Sequence, residues 1–194
     1  MSKNQGVDHP KTLVALSIVR TSAEFTARSR IRSVAMFTAR LDAHGPTFAV
    51  DHFGYAPGAL RAQIISDVTT SLPRSASLVA AAQPFPRGYL RRVFAGGEVP
   101  PPTDVQLIAR ARRDVSVLPL VIGKAAIAAA AADLGIPLVE DDARVVQRAR
   151  RAADHAEAIW ASFVLSLCSR RDRINLISAY RAWRVLRRAR PLPF

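Results

Sequence analysis

Arginines and aromatic rings share the C-terminal quarter of the chain in a spacing suited to a polyanion. Arg170, Arg171 and Arg173 precede a stretch carrying Arg181, Arg184, Arg187 and Arg188, with Tyr180 and Trp183 among them. A guanidinium meets phosphate oxygens with parallel N–H donors. Aromatic rings set between cations are the stacking platforms of single-strand binding. Arg150 and Arg151 lie upstream, and residues 144–194 together hold 12 Arg against 3 acids, a net of +9. The expected nucleic-acid surface therefore runs from Arg150 and Arg151 to the C-terminal arginines. Three other uses of the same stretch stay open: its aromatics pack on the body, it meets an acidic protein, or it lies on an anionic membrane surface.

Other reactive side chains are scattered. Glu24, Asp51 and Asp154 form no recognisable ligand set, and a lone His52 or His155 is more often structural than a metal ligand. Thr103 or Asp104 caps the next helical pattern, so Asp104 reads as a cap rather than a ligand. Cys168 is the single cysteine, which excludes a disulfide framework and a Cys-based zinc site. No catalytic residue, metal or cofactor is expected.

The chain has 194 residues, 49 % of them hydrophobic and 22 % charged, enough apolar material for one packed domain. Its 28 Lys+Arg exceed its 15 Asp+Glu, giving +13, and the excess is 25 Arg to 3 Lys. Codon bias accounts for abundant Ala and Arg. It does not account for acids failing to keep pace, or for the uneven charge, which favours a polyanion partner. The longest apolar stretch, Val115 to Ala132, is broken by Pro119, Gly123 and Lys124, so no membrane span is expected. The N-terminal MSKNQGVDHPK is polar and carries no secretory core. A reduced, cytoplasmic protein without membrane contact is the expectation.

The positioning elements follow from periodicity. Residues 1–11 read as a flexible tail. Thr12 to Thr21 is apolar and β-rich, with Val14, Leu16 and Ile18 facing one way and Ala15, Ser17 and Val19 the other, as in a strand covered on both faces. Ile31 to Leu41 and Pro46 to Phe53 read as two strands paired antiparallel across Asp42–Gly45. Ala59 to Leu72 has helical spacing, and Ala76 to Ala81 reads as a short buried strand. Arg87 to Phe94 reads as a helix and 95–102 as a loop. Helices follow at Val105 to Arg113, Lys124 to Leu134 with Gly135 as C-cap, Asp141 to Ser169 as one or two helices, and Asp172 to Arg190. Three antiparallel strands followed by alternating helix and strand is a ribonuclease H-like order, an α/β fold with a mixed sheet flanked by helices. Residues 12–169 form that domain, and 170–194 a basic C-terminal helix.

Three blocks in this order resemble the DnaQ-like, proofreading-type 3′–5′ exonucleases, the DEDD group of the ribonuclease H-like superfamily. VALSIVRTS, Val14 to Ser22, is similar to the family's first strand, v-a-l-D-x-E-T-T-G. Ser17 and Val19 then occupy its Asp and Glu positions. VAAAQPFPRGYL, Val79 to Leu90, is similar to V-a-H-N-a-p-F-D and puts Pro86 at the Asp. RRAADHA, Arg150 to Ala156, is similar to H-x-A-x-x-D-A, with Arg150 for the His and His155 for the Asp. The likeness spans about Leu13 to Leu167.

The resemblance implies a fold built for phosphodiester hydrolysis by two divalent cations, which need charged oxygen ligands. Ser17, Val19, Pro86 and His155 supply no carboxylate, and Arg150 stays protonated and is no base. The expectation is a catalytically inactive, exonuclease-like domain that binds DNA or RNA, single strands included, as a subunit of a larger nucleoprotein complex with protein partners. A protein–protein scaffold on the same fold, and an active metal-dependent exonuclease with unusual ligands, are the alternatives.

Overall fold

The computed structural model describes residues 9–20, 31–56, 58–81, 104–118, 122–138 and 145–189. The helix expected at 87–94, the loop at 95–102 and Pro86 lie outside the described residues.

The strands are β1 (Thr12–Arg20), β2 (Ile31–Asp42), β3 (Gly45–Gly54), β4 (Ser77–Ala80) and β5 (Ser116–Val117). They form one mixed sheet of order β3-β2-β1-β4-β5. β1 and β3 are antiparallel to β2, whereas β4 is parallel to β1 and β5 parallel to β4. The β2–β3 turn forms because Asp42 Oδ1 accepts the His44 N–H at 2.8 Å and Gly45 takes φ +115, a conformation costly for other residues. A parallel bridge from Ala81 to Ile122 continues the sheet beyond β4.

The helices are α1 (Arg61–Ser71), α2 (Asp104–Arg110), α3 (Lys124–Leu134), α4 (Val145–Leu167) and α5 (Arg170–Ala189). Gly135 closes α3 in the left-handed region, as its position predicts, and the Ile136 N–H reaches the Ala131 carbonyl at 2.8 Å. α4 and α5 are separate helices. Ser169 between them accepts the Asp172 N–H on its Oγ at 3.3 Å.

Alternation along β1 divides the core. Val14 and Leu16 pack with Val34, Met36, Ile64, Val68 and Ile108 on the α1–α2 face. Leu13 and Ala15 pack with Ala35, Phe37 and Ala39 beneath α3, α4 and α5. On that second face the sheet offers small Ala15, Ala35 and Ala39, and α4 offers Ala152 and Ala156, all buried. Small residues on both sides let the helix lie close, and a helix of 23 residues is about 34 Å long, enough to cross the sheet. One aromatic cluster fills the remaining volume: Phe37 stands 5.1 Å from Trp160, 5.6 Å from Trp183 and 5.9 Å from Tyr180.

Two expectations change, and one short strand was not anticipated. The tail is fixed by residue 9: His9 is buried and accepts the Trp160 Nε1–H at 3.3 Å. α5 is part of the core rather than an appended basic helix, since Tyr180 and Leu176 are buried in the same cluster as β1 and β2. β5 is a strand the apolar run Val115–Ile122 did not reveal, because two residues are too short for a period. Among the described residues, no helix is long and apolar enough to cross a membrane.

Phe37→Ala opens a cavity at the centre of the ring cluster. It is expected to cost about 3–5 kcal/mol in urea unfolding, with an unchanged m-value.

Candidate functional site

The carboxyl end of β1 carries Ser17 on the face beneath α4. Its Oγ lies 3.0 Å from His155 Nδ1, joining residues 138 apart in sequence. Ser17 is 2 % exposed and His155 half-buried. Burial pushes the His155 imidazole below its ordinary 6.5, and Arg151 and Lys124 push it the same way. Both cations follow from the fold. Arg151 precedes His155 by one turn of α4, and Lys124 opens α3, which begins without a side-chain cap or an acid in its first turn.

A second pair lies on the same face. Ser17 is in register with Ala35, and Ala35 with His52; Val19 is in register with Ser33. Ser33 Oγ meets His52 Nε2 at 2.7 Å, and burial lowers the His52 pKa. Two neutral imidazoles, each held by a buried serine, thus sit around the end of β1.

These residues do not fit a pair of hard divalent cations. Ser17 is a hydroxyl, Val19 an aliphatic packed on the core, and His155 an uncharged imidazole already bonded to Ser17. Among the described residues, no three His, Cys, Asp or Glu side chains are placed to hold a metal. The structure brings Ser17 and His155 together and sets Val19 beside Ser33. Arg150 is a residue of α4, and nothing further is described for its side chain. Asp51 points to the opposite face, in register with Met36, and lines a shallow cavity of about 330 Å³ with Thr38, Arg40 and Ser71. Asp104 begins α2 and is held by Arg61 at 2.6 Å, so its carboxylate answers a guanidinium. Cys168 is buried.

The C-terminal aromatics and two of its arginines are not the stacking surface they resemble. Tyr180 is fully buried and donates its hydroxyl to Glu157 Oε2 at 2.6 Å. Trp183 is half-buried against Phe37 and Phe48, with Arg187 5.1 Å from its ring. Arg184 donates to the Leu134 and Gly135 carbonyls at 2.9 Å and lies 3.7 Å from Glu157, while Arg187 pairs with Glu157 directly. Arg173 donates to the Cys168 carbonyl at 3.1 Å. The cause is Glu157, 1 % exposed in the middle of α4, whose charge cannot stay buried without cations and donors. The signal was present: one acid inside the apolar AEAIW stretch, and Tyr180, Arg184 and Arg187 spaced 4 and 3 apart. Arg170, Arg171 and Arg181 remain exposed, and the Arg188 side chain lies outside the described residues.

No protein-family model, curated protein or solved structure matches the chain.

Two outcomes follow from these groups. Tyr180→Phe removes a donor from a buried carboxylate and should destabilise the protein by about 1–3 kcal/mol in urea. The second concerns pH. His9, His52 and His155 all have folded pKa values below 6.5, each with burial as the largest cause. The unfolded chain therefore takes up protons first as pH falls, so the stability present above about pH 6.5 is lost as acid approaches the folded values. The urea midpoint should be flat from pH 8.5 to 7.5 and fall towards pH 5.5. His155→Gln should reduce that fall. A midpoint that rises on acidification would contradict the assignment.

Proposed function

We propose that this chain is a catalytically inactive, exonuclease-like domain of ribonuclease H-like architecture that binds nucleic acid as part of a larger nucleoprotein assembly. The strand order β3-β2-β1-β4-β5 and the mixed pairing are compatible with that architecture. One observation carries the reading: at the carboxyl end of β1, where the resemblance calls for metal-binding acids, stands the Ser17–His155 pair with Arg151 and Lys124 beside it. Carboxylates there would repel a phosphodiester unless cations intervened. A neutral imidazole flanked by two cations attracts it directly. The net charge of +13 supplies the wider field.

The phosphate seat in this reading is Lys124 and Arg151, with His155 held in place by Ser17. Tyr180 and Trp183 take no part, being occupied by the core. Metal-dependent hydrolysis is not part of this reading, because among the described residues no three His, Cys, Asp or Glu side chains are placed to hold a metal.

Point substitutions test this, because deleting α5 would open the core. A fluorescent 20-nucleotide oligo(dT) should bind with log affinity falling by about 0.7 per contacted phosphate for each unit of log salt. Lys124→Gln with Arg151→Gln should weaken binding roughly tenfold or more and flatten the slope by about one to two contacts. The oligonucleotide should keep its full length in Mg²⁺ or Mn²⁺. Affinity indifferent to salt, or a double variant with an unchanged slope, would sink the reading.

A further inference from the structure

We propose that the outward face of α5 is a docking surface for an acidic, amphipathic helix of a partner protein. The inward half of α5 is fixed: Leu176 and Tyr180 are buried, and Arg184 and Arg187 hold Glu157. Successive residues turn by about 100°, so the remaining positions form one long outer face. That face carries Ile174, Val185 and Leu186 at 56 %, 68 % and 68 % exposure. They are three of the five large hydrophobics exposed among the described residues. Arg171 and Arg181 are exposed on the same face, and no acid is.

A partner must satisfy two chemistries at once. Aliphatic side chains exposed to this degree gain only from apolar contact, and the arginines only from negative charge. A second copy of the chain brings the same cations and repels. A nucleic-acid backbone answers Arg171 and Arg181 but leaves Ile174, Val185 and Leu186 against phosphates. An anionic bilayer wants a continuous apolar side with interfacial rings, whereas Asn175, Ser178 and Arg181 interrupt this face and Tyr180 and Trp183 turn inward. A helix with aliphatic residues along one ridge and Glu or Asp beside it answers both. Ile174 and Val185 are 11 residues apart, about 16 Å along the axis, so a partner of roughly four turns covers the face. The Glu157 contacts hold α5 ready, so docking does not pay for ordering it. The surface is independent of the Ser17–His155 pair and stands or falls apart from nucleic-acid binding.

The test uses the full chain, labelled with ¹⁵N, and four probes. These are a synthetic 18-residue Leu/Glu amphipathic helix, the same peptide with Gln for Glu, vesicles of seven parts phosphatidylcholine to three of phosphatidylserine, and oligo(dT). The acidic peptide should shift amides along 171–186, and the Gln peptide should bind at least tenfold more weakly. Ile174→Ser with Val185→Ser and Leu186→Ser should weaken the acidic peptide about tenfold while leaving the melting temperature and oligo(dT) affinity unchanged. Arg171→Gln with Arg181→Gln should also weaken it, and 0.5 M salt should erase that difference. No binding of the acidic peptide, equal binding by either variant, or a stronger response of these amides to vesicles or oligo(dT) would overturn the proposal.

Discussion

A carboxylate buried in α4 organises much of this molecule. Glu157 is 1 % exposed, with Ala156 before it and Ala158, Ile159 and Trp160 after it in sequence. Removing an ion from water costs several kcal/mol unless charge and hydrogen bonds replace the solvent. Both come from α5: a phenol at 2.6 Å, a guanidinium paired directly, and another at 3.7 Å. Satisfying Glu157 therefore lays α5 along α4 and brings Trp183 onto the rings of β2 and β3. Arg184 also reaches the carbonyls that end α3. One acid thus ties three helices to the sheet.

The same requirement redistributes the charge. A strongly basic helix would ordinarily present its arginines to solvent, and this one turns two of them inward. The C-terminal helix therefore shows solvent fewer cations than its composition suggests, and two groups of basic side chains among the described residues stand in contrasting surroundings. Lys124 and Arg151 stand by the end of β1. Arg170, Arg171 and Arg181 stand among exposed aliphatics on α5. The surroundings of the two groups differ: one lies near the His155 imidazole, the other borders exposed aliphatic side chains.

Local chemistry made much of the architecture legible. The hairpin was readable because alternation and the Asp42–Gly45 turn agree, and α3 because Gly135 marks its end. β5 escaped because two residues carry no period. His9 escaped because a polar terminus looks mobile, and only the folded chain brings it to Trp160. The Ser17–His155 contact spans 138 residues, and no local rule reaches that far. The family likeness put both residues in one set without saying that they touch. The arginines of α5 misled for a physical reason: charge read along a sequence is assumed to seek water, and a buried acid reverses that preference.

The aromatic cluster also gives the protein its own optical probe. Both of its tryptophans, Trp160 and Trp183, belong to this one cluster, 5.3 and 5.7 Å from the Phe48 ring. Trp160 touches the imidazole of His9, and Trp183 lies beneath the guanidinium of Arg187. Intrinsic emission therefore samples a single region, the seam where the amino-terminal segment, α4, α5 and the sheet meet. Its intensity and wavelength monitor the seating of α5 on the sheet without an added dye.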